Sequence, residues 1–124
     1  MKILTVLLLV AHGSKNEKFN EMVLRVAMQL KRKAGKVYVG FLLGTPSVRE
    51  AAEKAFAESD EVIVVPFFIA EGSHVVKDLK KEIEEVAKGS GKKVVFAKAL
   101  GDHPLVVEAL YQRFVEALRS SITS

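Results

Sequence analysis

A chain of 124 residues, 49% hydrophobic and 27% charged, has room for one domain with one modest core and too little for two. Nineteen basic against 15 acidic residues leave a formal charge of +4, which favours an anionic partner; the basic residues are spread out with few aromatics between them, which argues against a nucleic-acid groove. Cysteine is absent, so disulfides, thiolate metal sites and cysteine nucleophiles are excluded.

Met1-Lys2 and the apolar Ile3 to Ala11 have the outline of a short signal peptide. No small-x-small cleavage site follows, and the run is too short to cross a bilayer. The expectation is a cytoplasmic protein with no membrane contact. Ile3 to Ala11 reads instead as a first strand covered on both faces, with only Thr5 interrupting. Ser14 is a candidate cap for the next helix, placed at 15–33 by the helical spacing of Phe19, Met22, Val23, Val26, Ala27 and Leu30. Ala34-Gly35 ends it.

Val37 to Leu43 is the second strand, and Gly44-Thr45-Pro46-Ser47 is a turn with a helix start. Val48, Ala51, Ala52, Ala55 and Phe56 form the buried stripe of the second helix, which Ser59-Asp60 breaks. Val62 to Ile69 is the third strand. Pro66 cannot donate to a ladder, so it belongs near the C-terminal end or at a bulge. Val76, Leu79, Ile83, Val86 and Ala87 stripe the third helix; Lys80 to Glu85 supply its wet face, and Gly89-Ser90-Gly91 is the stop. Val94 to Ala97 is the fourth strand. Leu100-Gly101-Asp102-His103-Pro104 is a second turn-and-cap signal. Val107, Leu110, Tyr111, Phe114, Val115 and Leu118 complete a last helix as its buried stripe, and Arg119 to Ser124 is expected to fray.

Four βα units in strict alternation, with no linker, predict a single α/β domain over residues 1–124: a four-stranded parallel sheet with helices on both faces. Right-handed crossovers make 2-1-3-4 the natural strand order. Its switch point lies between strands one and three, and ligands of open α/β sheets bind at the carboxyl ends of strands at such a point. His12 follows strand one and His74 follows strand three, so the two should flank one crevice. His103, after strand four, lies further out on the same edge.

Two neutral imidazoles there can bind a divalent transition metal, or one can accept a proton near neutral pH. The plain alternative is that each caps a turn. Gly13-Ser14 and Gly72-Ser73 offer N–H groups and hydroxyls to a carboxylate or phosphate, or serve only as turn residues. Glu71 is a second acid–base group, an outer ligand or a solvated charge. No P-loop, GxGxxG, HExxH or GxSxG is present, so nucleotide and zinc-protease chemistry receive no support.

Leu8 to Ser14 resembles the opening of the small class II tetrapyrrole chelatases, the sirohydrochlorin cobaltochelatase group in its short archaeal-type form. Three further stretches agree in order and spacing: Phe41-Leu42 with Pro46-Ser47 and Glu50-Ala51; Val65 to Phe68 with Gly72, His74-Val75 and Asp78-Leu79; and Leu100-Gly101 with His103-Pro104. The resemblance implies a chelatase-like half-domain and a lyase. It would insert a divalent metal, Co²⁺ first and Ni²⁺ or Fe²⁺ next, into a sirohydrochlorin-type tetrapyrrole of cobalamin biosynthesis, without ATP.

Carried over residue by residue, His12 and His74 match the two active-site histidines, and His103 a common position beside them. Where many relatives have an acid after strand two, Leu43-Gly44-Thr45 stands here, so no acidic ligand is carried over from that loop. The small members also form homodimers whose facing clefts enclose the macrocycle. A basic chain suits that polycarboxylate. Two rivals remain. One is a histidine-phosphatase-like enzyme, against which Ala11 stands where an arginine would bind phosphate; the other is a non-catalytic metal or tetrapyrrole carrier.

Overall fold

The computed structural model describes residues 5–70, 72 and 74–123. Four βα units follow one another: β1 (Thr5–Gly13), α1 (Glu17–Ala34), β2 (Val37–Leu43), α2 (Val48–Glu58), β3 (Glu61–Pro66), α3 (His74–Ser90), β4 (Lys93–Phe96) and α4 (Pro104–Thr123). The strands form one parallel sheet in the order β2-β1-β3-β4, as the alternation predicts.

β1 takes a central place because it offers apolar side chains to both layers. Val6, Leu8 and Val10 enter a core under α2 and α3 with Phe56, Val62, Val64 and Ile83. Leu9 and Ala11 go the other way and meet Val23, Ala27 and Phe41 under α1. Period-two alternation thus divides one apolar run between two layers. Phe56 and Ile83 are fully buried. Truncating such a core Phe to Ala costs about 3–5 kcal/mol, a large share of a total stability of roughly 5–15 kcal/mol.

Local chemistry sets the helix starts. Ser47 and Glu50 form a reciprocal capping box at the head of α2, the Ser47 hydroxyl accepting from the Glu50 N–H at 3.2 Å. At α1 the cap is Asn16, whose side chain accepts from the Lys18 N–H at 3.0 Å. Ser14, expected as that cap, sits two residues upstream, and its hydroxyl accepts from the Asn16 N–H at 3.0 Å.

Other boundaries move for identifiable reasons. β1 continues through His12 and Gly13 because Gly13 still pairs with Leu43 of β2; Ile3 and Leu4 lie outside the described residues. β3 ends at Pro66, which has no N–H for the ladder, and Phe67 to Ile69 peel away from the sheet. The Phe67 N–H is held by the Val10 carbonyl at 2.7 Å. α3 runs through Gly89 to Ser90, whose hydroxyl donates back to the Val86 carbonyl at 2.7 Å, and stops at Gly91 in the left-handed region.

The largest correction concerns α4. Its apolar stripe was expected in the core. Instead Val107, Leu110, Tyr111, Phe114 and Leu118 are exposed, and α4 packs against none of the other described helices or strands. It also stays helical to Thr123 where fraying was expected. α2 and α3 cover one face of the sheet. On the opposite face α1 lies over β1 and β2 only, and no described helix covers the β3–β4 half.

Candidate functional site at the carboxyl edge of the sheet

The site begins with a steric requirement. At Gly13 the chain turns out of the sheet with φ +80° while staying tight against β2. A Cβ built there would overlap the Leu43 carbonyl oxygen and lie 2.9 Å from its carbon, so only glycine fits. This pinch holds the end of β1 in place, and His12 immediately before it is exposed. The His12 ring meets Phe68 edge-on, with centroids 6.1 Å apart and planes at 75°. Phe68 belongs to the segment that peels off after Pro66. Ending β3 early therefore sets an aromatic ring beside the histidine of the neighbouring strand.

The loop after Gly13 is clamped by a residue that no motif points to. Asn20 Oδ1 accepts from the Ser14 N–H at 3.1 Å, and Asn20 Nδ2 donates to the Ser14 carbonyl at 3.0 Å. The same amide stands 3.2 Å from where a Cβ on Gly44 would be, so it also borders the β2–α2 turn. The Ser14 N–H is thus already engaged, which leaves the hydroxyl proton for a ligand. Nothing in the sequence marks Asn20, a half-buried polar residue in the first turns of an amphipathic helix.

His74 opens α3 and is exposed. It lies on the connection that follows β3, the strand paired with β1, so His12 and His74 belong to neighbouring strand ends as expected. Gly72 is exposed with φ +120° and open space around it. Glu71 and Ser73 lie outside the described residues.

His103 stands after β4, one strand further out. Its Nδ1 accepts from the Leu105 N–H at 3.1 Å, capping α4. A neutral imidazole that accepts at Nδ1 carries its proton on Nε2, so His103 presents a donor, suited to a carboxylate rather than to a metal ion.

Two clefts open beside these residues. The smaller, about 140 Å³, is lined by Phe19, Met22, Phe67, Phe68, Ile69 and Leu100. The larger, about 400 Å³, runs from Ile69 and Leu100 along His103 and the first half of α4 to Arg113. Ile69 and Leu100 belong to both. The apolar wall thus extends from the ring against His12 to the start of α4, and the larger cleft is of the size that holds small organic ligands, roughly 300–1,000 Å³. Among the described residues no group of three or more His, Asp or Glu side chains could hold a metal ion.

Comparison with known proteins decides the family. The CbiX family model matches residues 6–117. The chain belongs to the CbiX family. Within it, a sirohydrochlorin cobaltochelatase from Sulfurisphaera tokodaii is 36% identical over 119 residues, covering 94% of this chain and 97% of its own. A putative cobalamin biosynthesis CbiX protein from Marinobacter aquaeolei shares the fold, with a TM-score of 0.81, 24% identity, 94% of this chain covered and 98% of that one. The sirohydrochlorin chelatase SirB from Bacillus subtilis subspecies spizizenii, solved in complex with cobalt, also shares it. There the TM-score is 0.83 at 24% identity, over 92% of this chain and 51% of that one. The CbiX fold thus occurs once in this chain and spans half of the longer protein.

Proposed function

We infer that this chain is a sirohydrochlorin cobaltochelatase, a lyase-type enzyme that inserts Co²⁺ into a sirohydrochlorin-type tetrapyrrole without a nucleotide. The substrate class rests on the family and on the full-length similarity to a cobaltochelatase. The observation that carries the site is the corner formed by His12 and Phe68, an imidazole set beside an apolar wall that suits a flat macrocycle.

The chemistry asks little covalent work of the protein. Insertion removes two pyrrole N–H protons and replaces water on the metal with four ring nitrogens. His12 and His74 hold the incoming ion through exchangeable imidazole bonds; as the metal passes to the ring, one imidazole it vacates accepts one pyrrole proton and water accepts the other. Imidazole also suits Ni²⁺ and Fe²⁺, so these ions compete for the same pair. His103 Nε2–H, the Ser14 hydroxyl, Gly72 and Ser73 receive the peripheral carboxylates. The macrocycle lies between two copies, and the reaction belongs to the cytoplasm. The phosphoryl-transfer and carrier readings find no support in the family.

Anaerobic insertion of Co²⁺ into sirohydrochlorin, followed by absorbance, tests the inference. Multiple turnovers are expected from the wild type, with rates at least 100-fold lower in His12→Ala and His74→Ala of unchanged circular dichroism. Ni²⁺ and Fe²⁺ run in parallel rank the metals. A wild-type rate equal to the protein-free control would overturn the reading.

A further inference from the structure

The larger cleft has a chemical pattern of its own. Six of the eight described residues that line it are apolar, and the other two are His103 and Arg113. Val106, Leu110 and Arg113 recur at helical spacing on one face of α4, with His103 at its head. The ten residues from His103 to Arg113 place these two polar groups about 15 Å apart along the helix axis. The cleft is thus an apolar strip with a donor at each end. His103 offers its Nε2–H at one end, and Arg113 a fixed positive charge at the other. Among the described residues lining the two clefts, Arg113 is the one with a fixed charge.

That charge is held loosely. Arg113 Nη1 donates to both carboxylate oxygens of Glu116, at 3.2 and 3.0 Å. The two side chains are 80% and 59% exposed, and an exposed pair of this kind holds weakly. Nε and Nη2 take no part in the contact, so the guanidinium keeps a second edge for another acceptor.

We propose that Arg113 binds a peripheral carboxylate of the tetrapyrrole, and that Glu116 holds the guanidinium beside the cleft until that carboxylate replaces it. The proposal rests on the chelatase reading for the identity of the ligand. Its geometry follows from the continuity of the apolar wall. The wall starts at Phe68, against the His12 ring, and reaches the larger cleft through Ile69 and Leu100. A flat ring laid over His12 and Phe68 turns one edge along that wall. The ring edge is apolar and its substituents end in carboxylates; the strip is apolar and ends in a cation. A few placed polar groups on an apolar lining are what fix a ligand's orientation.

Binding of metal-free sirohydrochlorin, read from the ligand's own visible absorbance, tests the proposal, and cobalt insertion is read separately. Arg113→Gln should raise both the dissociation constant and KM about tenfold, the loss of one charge-assisted contact, with kcat unchanged. Arg113→Lys keeps the charge without the fork and should recover part of that loss. Glu116→Gln removes the competing carboxylate and should lower the dissociation constant about two- to threefold. Circular dichroism should be unchanged in all three. Opposite signs at the two partners separate a ligand contact from a helix-stabilising pair. An unchanged dissociation constant in Arg113→Gln, or a rise of equal size in both glutamine variants, would overturn the proposal.

The two readings fail separately. Turnover at the wild-type KM in Arg113→Gln sinks the proposal and leaves the chelatase standing. Binding that depends on Arg113, without turnover in the wild type, supports the proposal and sinks the chelatase reading. A wild type that does not bind sirohydrochlorin sinks both.

Discussion

Replacing Gly13 by alanine separates two costs that glycine substitutions usually confound. The backbone there has φ +80°, and the added Cβ meets the Leu43 backbone, which is locked in the sheet. Holding alanine in the left-handed region costs about 1–2 kcal/mol, and forcing β1 and β2 apart adds about 1–3 kcal/mol by analogy with overpacked cores. Gly13→Ala should therefore lose roughly 2–5 kcal/mol. Gly72 supplies the control: its φ is +120°, and nothing lies within 4 Å of a Cβ there. Gly72→Ala should lose only the conformational part, about 1–2 kcal/mol. Urea unfolding of both variants gives the difference directly, and in a thermal melt Gly13→Ala should fall by roughly 10 °C or more. Two variants of equal stability would refute the pinch between the strands and leave Gly13 a simple turn residue.

Asn20→Ala should cost about 1–3 kcal/mol, since it removes two hydrogen bonds worth about 0.5–1.5 kcal/mol each; a urea midpoint equal to wild type would show the clamp to be idle. Tyr38 donates to Glu58, and that bond, with burial, pushes its hydroxyl up to about 12, while the bond from Tyr38, and then Lys36, pull Glu58 below its ordinary value. A raised pKa in the fold means stability present below pH 10 and lost as pH rises towards 12. A lowered one means stability lost as pH falls through the carboxylate range. Tyr38→Phe should flatten the alkaline loss and weaken the acid one, as read by melting temperature across the two pH windows; an unchanged alkaline slope would contradict the pairing. His103→Asn should keep the α4 cap and stability while raising KM for the tetrapyrrole, whereas His103→Ala should also lose about 1 kcal/mol; an unchanged KM in both would remove His103 from substrate binding.

The elements, their order and the placing of three histidines at one edge were legible because they depend on local period and on punctuation. β2 is placed at Val37 to Leu43 by both readings, since Gly35 and Gly44 bracket a seven-residue apolar run. The five apolar positions of the α2 stripe are all buried. The end of β3 was half legible: Pro66 carried the signal, but the apolar Phe67 to Ile69 looked like more strand. Those residues leave the sheet and line a cleft there, while Phe67 and Phe68 each keep one side against a core cluster. Ser14 was mistaken for the cap because Ser and Asn are equally able, and the extra two residues of β1 decide between them. The exposure of α4 was not legible at all. Hydrophobic spacing reports that a face is to be covered, and says nothing of whether the covering surface belongs to the same molecule.

β1 also has a consequence during synthesis. Both its neighbours are made after it, and β3 is completed about 50 residues after β1 ends. At ribosomal speeds of roughly 5–20 residues per second, Val6 to Ala11 waits on the order of 3–10 s with one edge unpaired. An apolar, uncharged segment of that length is the kind that adds to other strands. Charges on the solvent-facing side, which often guard such segments, are not an option where both faces of the strand must later be buried. Production of this protein should accordingly depend on keeping the nascent chain dilute or shielded until β3 emerges.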